Sequence, residues 1–209
     1  MKYSDIEDGL IKLKPIFTAK DLELAGFKVY PYQLNQWSKL GKIKRLAAGR
    51  YLFTKSSVAP EFIAQELRQP SYVSLEYALY LYNLTVDIPF HITSVTTKVT
   101  RKIVVEDVAY TYYHIKADYF TGFVVKQLAD SEEVGKKFNI ATPEKALVDL
   151  FYLKPKAFKN RVQFEEARFH VEELKLNIDW PGVFNIARLF NNKSLEKRLS
   201  SFKDYIYSV

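Results

Sequence analysis

The chain contains no cysteine, which excludes a disulfide framework, a thiolate metal site and a cysteine nucleophile together. It also lacks any apolar run approaching the ~18 residues that crossing a bilayer requires. Its opening stretch, Met1-Lys2-Tyr3-Ser4-Asp5-Ile6-Glu7-Asp8, is charged where a secretory signal would be apolar. These absences predict a cytoplasmic protein with no membrane partner. With only 7 glycines and 8 prolines in 209 residues and no low-complexity tract, the composition is that of a folded chain, long enough for two small domains or one large one.

The most informative scarcity is local. Between Glu23 and Glu61 no acidic residue occurs, yet Lys28, Lys39, Lys42, Lys44, Arg45, Arg50 and Lys55 all fall there. From Ser71 onward 19 basic residues face 17 acidic ones, close to balance. A positive field confined to one short segment is the footprint expected of a protein that binds a phosphate backbone.

The periodicity around that window predicts three helices and a hairpin. Ile6, Leu10, Ile11 and Leu13 recur at helical spacing over 4–14, with Ser4 and Glu7 placed as a capping box and Pro15 as the stop. Thr18 begins a second short helix over 19–25, and Gly26 sits where a helix end needs positive φ. Pro31 opens a third helix as a first-turn proline. Its core side is expected to carry Leu34, Trp37 and Gly41. The opposite arc carries Tyr32, Asn35, Gln36 and Lys39, with Gln33 at its edge; amides can bond adenine bidentately, and Lys can reach guanine acceptors or a phosphate. The short β-prone runs 42–46 and 51–53, joined through Gly49, read as a hairpin that brings Lys42, Lys44, Arg45 and Arg50 to phosphates or a minor groove. A hairpin made basic only for solubility would use acidic residues equally well, and there are none. Three helices followed by a basic hairpin is the order of a winged helix-turn-helix, predicted over 1–69, with double-stranded DNA as partner.

The remainder, 70–209, reads as a mixed α+β domain. A connecting helix spans 60–67, and Ser74 caps another over 75–82. Strands are expected over 90–97, 102–105, 109–115 and 122–125, where β-branched and aromatic residues accumulate. Thr142 and Pro143 mark a sharp helix start, and Lys145 and Asp149 on that helix read as an ordinary i,i+4 surface pair. Further helices are expected over 160–174, 180–190 and 194–206, the last two capped by Asp179 and Ser194.

Three stretches together resemble the AbiEi antitoxins of type IV toxin–antitoxin systems over nearly the whole chain. They are Leu40-Gly41-Lys42-Ile43-Lys44-Arg45 with Gly49-Arg50-Tyr51; Ser71-Tyr72-Val73-Ser74-Leu75-Glu76-Tyr77-Ala78-Leu79; and Ile140-Ala141-Thr142-Pro143-Glu144-Lys145-Ala146-Leu147-Val148-Asp149, the most specific. Tyr77 departs from the small residue expected at its place. The resemblance implies a repressor that binds inverted repeats in its own promoter, and a second domain that opposes a nucleotidyltransferase-like toxin. Glu144, Lys145 and Asp149 are then the candidate residues of the antitoxin function.

No catalytic constellation competes with this reading. His91, His114 and His170 lack metal-ligand spacing, no glycine-rich phosphate loop occurs, and no cofactor or metal is expected. Glu173-Leu174-Lys175 matches a metal-dependent nuclease by letter, but it lies in a segment of helical periodicity that presents those side chains wrongly for the task. A regulator whose second domain senses a small molecule is the other alternative. Its signature would be a ligand-sized apolar cavity between the β-region and the 142–152 helix.

Overall fold

The computed structural model describes residues 3–47, 49–127, 135 and 137–209. It is a mixed α+β structure that divides into two compact units, Met1–Gln69 with Lys126–Phe138, and Pro70–Val125 with Asn139–Val209. Among the described residues, no helix is long and apolar enough to cross a membrane.

The first unit runs α1 (Tyr3–Leu10), β1 (Ile16–Thr18), α2 (Ala19–Leu24), α3 (Pro31–Lys39), β2 (Ile43–Arg45), β3 (Arg50–Phe53) and α4 (Pro60–Leu67). Thr18 caps α2 in a full capping box with Asp21, and Gly26 follows its end at φ 83°, a conformation that would strain a side chain. The box expected at Ser4 is not formed. Ser4 lies inside α1 with its hydroxyl donating to Asp5, and Glu7 is instead held by Tyr3 and Lys55. Gly41 likewise lies beyond α3, exposed in the turn at φ 67°, rather than on the helix's core side.

Strand β1 was not anticipated, because three residues after a proline carry too little periodicity to declare a strand. It pairs antiparallel with β3, which also pairs with β2, giving the order β1-β3-β2. Alternation along β3 sends Phe53 and Tyr51 to one face and Leu52 to the other. On the first face they join Phe17, Ile43, Ile6, Leu22, Leu34 and Trp37 in a core shared with α1–α3. On the second, Leu52 and Ile16 pack with Ala59 and Phe62 at the start of α4. The carbonyl of Gly135 accepts from the Ala59 amide at 2.8 Å, which ties part of 126–138 to this unit.

The second unit is built on a mixed sheet of order β6-β7-β5-β4-β9-β8, from β4 (Ser71–Val73), β5 (His91–Thr96), β6 (Arg101–Val105), β7 (Val108–His114), β8 (Phe123–Gln127) and β9 (Lys137–Ala141). β4 and β9, both unanticipated, are parallel neighbours. Helices α5 (Leu75–Leu81) and α6 (Pro143–Leu153) follow them directly. Thr142 caps α6 as expected, accepting from the Lys145 amide. The segment read as one helix over 160–174 is two, α7 (Arg161–Glu166) and α8 (Val171–Asn177), broken where Arg168 takes φ 47° and Phe169 bridges to Thr85. Asp179 caps α9 (Trp180–Leu189), whereas Asn192 rather than Ser194 caps α10 (Lys193–Ser208). Phe202 of α10 gathers Phe151, Phe164 and Phe169 within 5.2 Å between ring centres.

Candidate nucleic-acid interface

Helix α3 divides as its period dictates. Leu34 and Trp37 are buried, while Tyr32, Asn35, Gln36 and Lys39 are exposed on the other side. Tyr32 is 66% exposed and lies nearly parallel to Tyr30 at 6.1 Å, so two aromatic rings stand at the helix start. Gln33 has a different task. Its Oε1 accepts from the Tyr30 amide at 2.9 Å, satisfying an otherwise orphaned donor at the helix entry. The end of α3 is held from two sides. Tyr3 donates to the Lys42 carbonyl at 2.8 Å while its ring packs edge-on against Trp37, and the Thr54 hydroxyl contacts the carbonyls of Gly41 and Lys42. Those contacts fix the direction in which α3 and the hairpin leave the core.

The hairpin cations separate into two groups. Arg45 lies opposite Tyr51 in register and is exposed on the sheet face that carries Ile43 and Phe53, the face on which α3 packs. Lys44 lies opposite Leu52, and Arg50 is two residues from it, so both belong to the α4 face; both are half-buried. Burial raises the carboxyl pKa of Glu66 there, and the charges of Lys14 and then Arg50 oppose the rise without cancelling it. Lys42 is exposed with its ammonium 4.9 Å above the Tyr3 ring. Lys55 is paired with Glu7 at 2.8 Å and adds little to the field. Of the hairpin cations, Arg45 is thus the one on the sheet face that packs on α3, whose own polar arc carries Lys39; Lys42 lies beside Tyr3 and Glu7 of α1, and Lys44 and Arg50 belong to the α4 face.

The candidates on α6 occupy a different environment from the one their spacing suggests. Lys145 and Asp149 are both 0% exposed, so the pair is not on the helix surface. Asp149 accepts from Lys145 Nζ, from Ser74 Oγ at 2.8 Å and from the Tyr72 hydroxyl at 2.9 Å; Lys145 also donates to the Tyr72 oxygen at 2.9 Å. Burial pushes the Asp149 carboxyl up and the Lys145 ammonium down, and each opposes the other's shift by charge and hydrogen bonding. The Lys145 stem passes beside Gly122, at φ 74°, where a Cβ would lie 3.0–3.2 Å from it; glycine is needed there twice over. Ser74, expected to cap α5, makes no side-chain cap because its hydroxyl is committed to Asp149. Glu144 alone of the three lies near the surface, accepting from the Asp179 amide at 3.4 Å.

No family model matches the chain, and no curated protein matches it.

Tyr72 and Ser74 belong to the buried network but were not singled out for it. Their signal was available in two patterns. They alternate at i and i+2 in one extended stretch, Tyr72 in β4 and Ser74 just after it, and Lys145 and Asp149 sit in a helix that is apolar on every side, with Ala146, Leu147, Val148, Leu150 and Phe151 around them. A helix apolar all round is buried, and its charges must then pair inside. The histidines stay apart: His114 and His170 bond backbone carbonyls through Nδ1. Among the described residues no cluster of three or more His, Asp or Glu side chains could hold a metal.

Proposed function

We propose that the chain is a DNA-binding transcription regulator whose first unit acts as a winged helix-turn-helix. The observation that carries the reading is the exposed arc Tyr32, Asn35, Gln36 and Lys39 on α3, with Arg45 exposed on the sheet face that packs on that helix, in a stretch of sequence free of acidic residues. The element order helix, strand, helix, helix, strand, strand is compatible with that motif, in which the third helix enters the major groove and the hairpin lies beside it. Asn35 and Gln36 supply base-edge recognition; Lys39 and Arg45 supply phosphate attraction.

The resemblance to AbiEi antitoxins supports extending this to autoregulation of an operon and to opposition, by the second unit, of a nucleotidyltransferase-like toxin. In that reading Lys145 and Asp149 serve by holding α6 against β4, and Glu144 is the residue of the three able to meet another molecule. The test has two arms. Fluorescence anisotropy on duplexes selected from a random pool should return a palindromic site bound at least 10³-fold more tightly than random duplex. Co-expression of the full chain with a nucleotidyltransferase encoded beside its gene should restore growth. Equal affinity for selected and random DNA would overturn the regulator reading, and growth arrest despite abundant folded protein would overturn the antitoxin reading.

A further inference from the structure

The second unit contains an apolar cavity of about 540 Å³ beneath the segment that leads into β5. That volume falls within the range of roughly 300–1,000 Å³ typical of small-molecule sites. Leu150 of α6, Phe158 and Phe169 supply apolar walls, and Phe90, 96% exposed, stands at the mouth. An aromatic ring left that open next to a cavity gains area only when something lies against it.

Two polar atoms in the lining lack partners. Thr85 is only 9% exposed, and its Oγ1 is buried with no hydrogen bond. Glu76 gives one carboxylate oxygen to Lys154 at 2.5 Å, while its Oε2 is buried and unpaired. A buried acceptor without a donor is unfavourable, and more so when it is charged, so each such group calls for an explanation. The Glu76–Lys154 pair is already neutral as a unit. Asp87, the other carboxylate in the lining, is paired with Arg168 at 2.7 Å, so no lining carboxylate lacks a cation, which disfavours a charged ligand and favours a neutral one.

We propose that this cavity is a binding site for a neutral, flat nitrogen heterocycle that donates an N–H to Glu76 Oε2, the class to which the purine bases belong. Its ring lies against the apolar wall that Leu150, Phe158 and Phe169 form together and is covered at the mouth by Phe90, and Thr85 Oγ1 bonds a second polar edge. The site is independent of the DNA-binding reading, since all its residues belong to the second unit.

The probes are 9-methyladenine, which keeps an exocyclic amino donor, and 6-dimethylamino-9-methylpurine, which has the same ring system without any N–H. Ligand-observed NMR titration of the full chain should show the first binding and the second at least about ten-fold weaker, as expected for loss of a hydrogen bond to a charged acceptor. Thr85→Val, equal in shape, should weaken 9-methyladenine several-fold with unchanged unfolding behaviour. Glu76→Gln should abolish the preference between the two purines. If Glu76→Gln fails to fold, the matched purines and Thr85→Val still decide the matter. Absence of binding up to the solubility limit, equal affinity for both purines, or full affinity in Thr85→Val would each overturn the proposal.

Discussion

Replacing Lys145 with methionine isolates the energetics of the buried cluster. The substitution keeps the length and apolar character of the stem that packs beside Gly122, and removes only the ammonium, which lies over the Phe190 ring. Asp149 is then left fully buried with two neutral donors, Ser74 and Tyr72, in place of a cation. Breaking a buried ion pair from one side typically costs about 3–5 kcal/mol, whereas an exposed i,i+4 pair on a helix is worth only about 0.2–0.5 kcal/mol. The two alternatives for this pair thus differ roughly tenfold in energy. The chain has two tryptophans, Trp37 in the first unit and Trp180 buried in the second, so urea unfolding in a Trp37→Phe background follows the second unit through Trp180. Lys145→Met should lose about 3–5 kcal/mol at neutral pH. Part of the loss should return on acidification. Without its cation, Asp149 has a folded pKa above its unfolded value, so its contribution is present below the unfolded value and lost as pH rises through the folded one. The double variant Lys145→Met/Asp149→Leu should recover most of the loss, because no charge is then stranded. A single-variant loss below about 1 kcal/mol, within the range of an exposed pair, would refute the buried-network account.

Three further outcomes follow from the same structure. Arg45→Ala should lower the salt dependence of DNA binding by about one phosphate contact, and Arg50→Ala by much less because it lies on the other sheet face; equal slopes in gel-shift salt titrations would refute that division. Leu147→Ala, at a fully buried site, should destabilise the second unit by about 2–5 kcal/mol in the same Trp180 assay, and a loss under 1 kcal/mol would show that the site collapses around the cavity. The first unit should weaken in acid. At Glu7 and Asp21, burial raises the carboxyl pKa but is outweighed by the bonds from Lys55 and Tyr3 and from Lys14 and Thr18, so both are held below the ordinary value. Their stabilisation is present above the unfolded carboxylate range and is lost as pH falls through the depressed folded values, and unchanged Trp37 melting between pH 6 and 3 would contradict it.

What could be read from the sequence depended on whether a signal was local. Thr142 and Asp179 were legible as caps because a cap is decided by its own hydroxyl or carboxylate and the next three amides. The buried and exposed sides of α3 were legible because Leu34 and Trp37 recur at one helical period. Ser74 had the same local qualification as Thr142 and yet caps nothing, since a carboxylate 75 residues away in sequence competes for its hydroxyl and wins by charge. The same distance hid β4. Three residues, Ser71–Val73, become a strand only by lying between β5 and β9, and no property of the three announces either neighbour. The basic hairpin shows a third kind of limit. Composition locates Lys44, Arg45 and Arg50 in one hairpin, but a period of two decides their faces, and the register depends on which residue of β3 meets β2. A shift of one residue would exchange the faces, bringing Lys44 to the α3 side and sending Arg45 to the α4 side. The register is held by Ile43 and Phe53 entering the helical core together, so the placement of the charges that face α3 is set by two apolar side chains that touch no ligand.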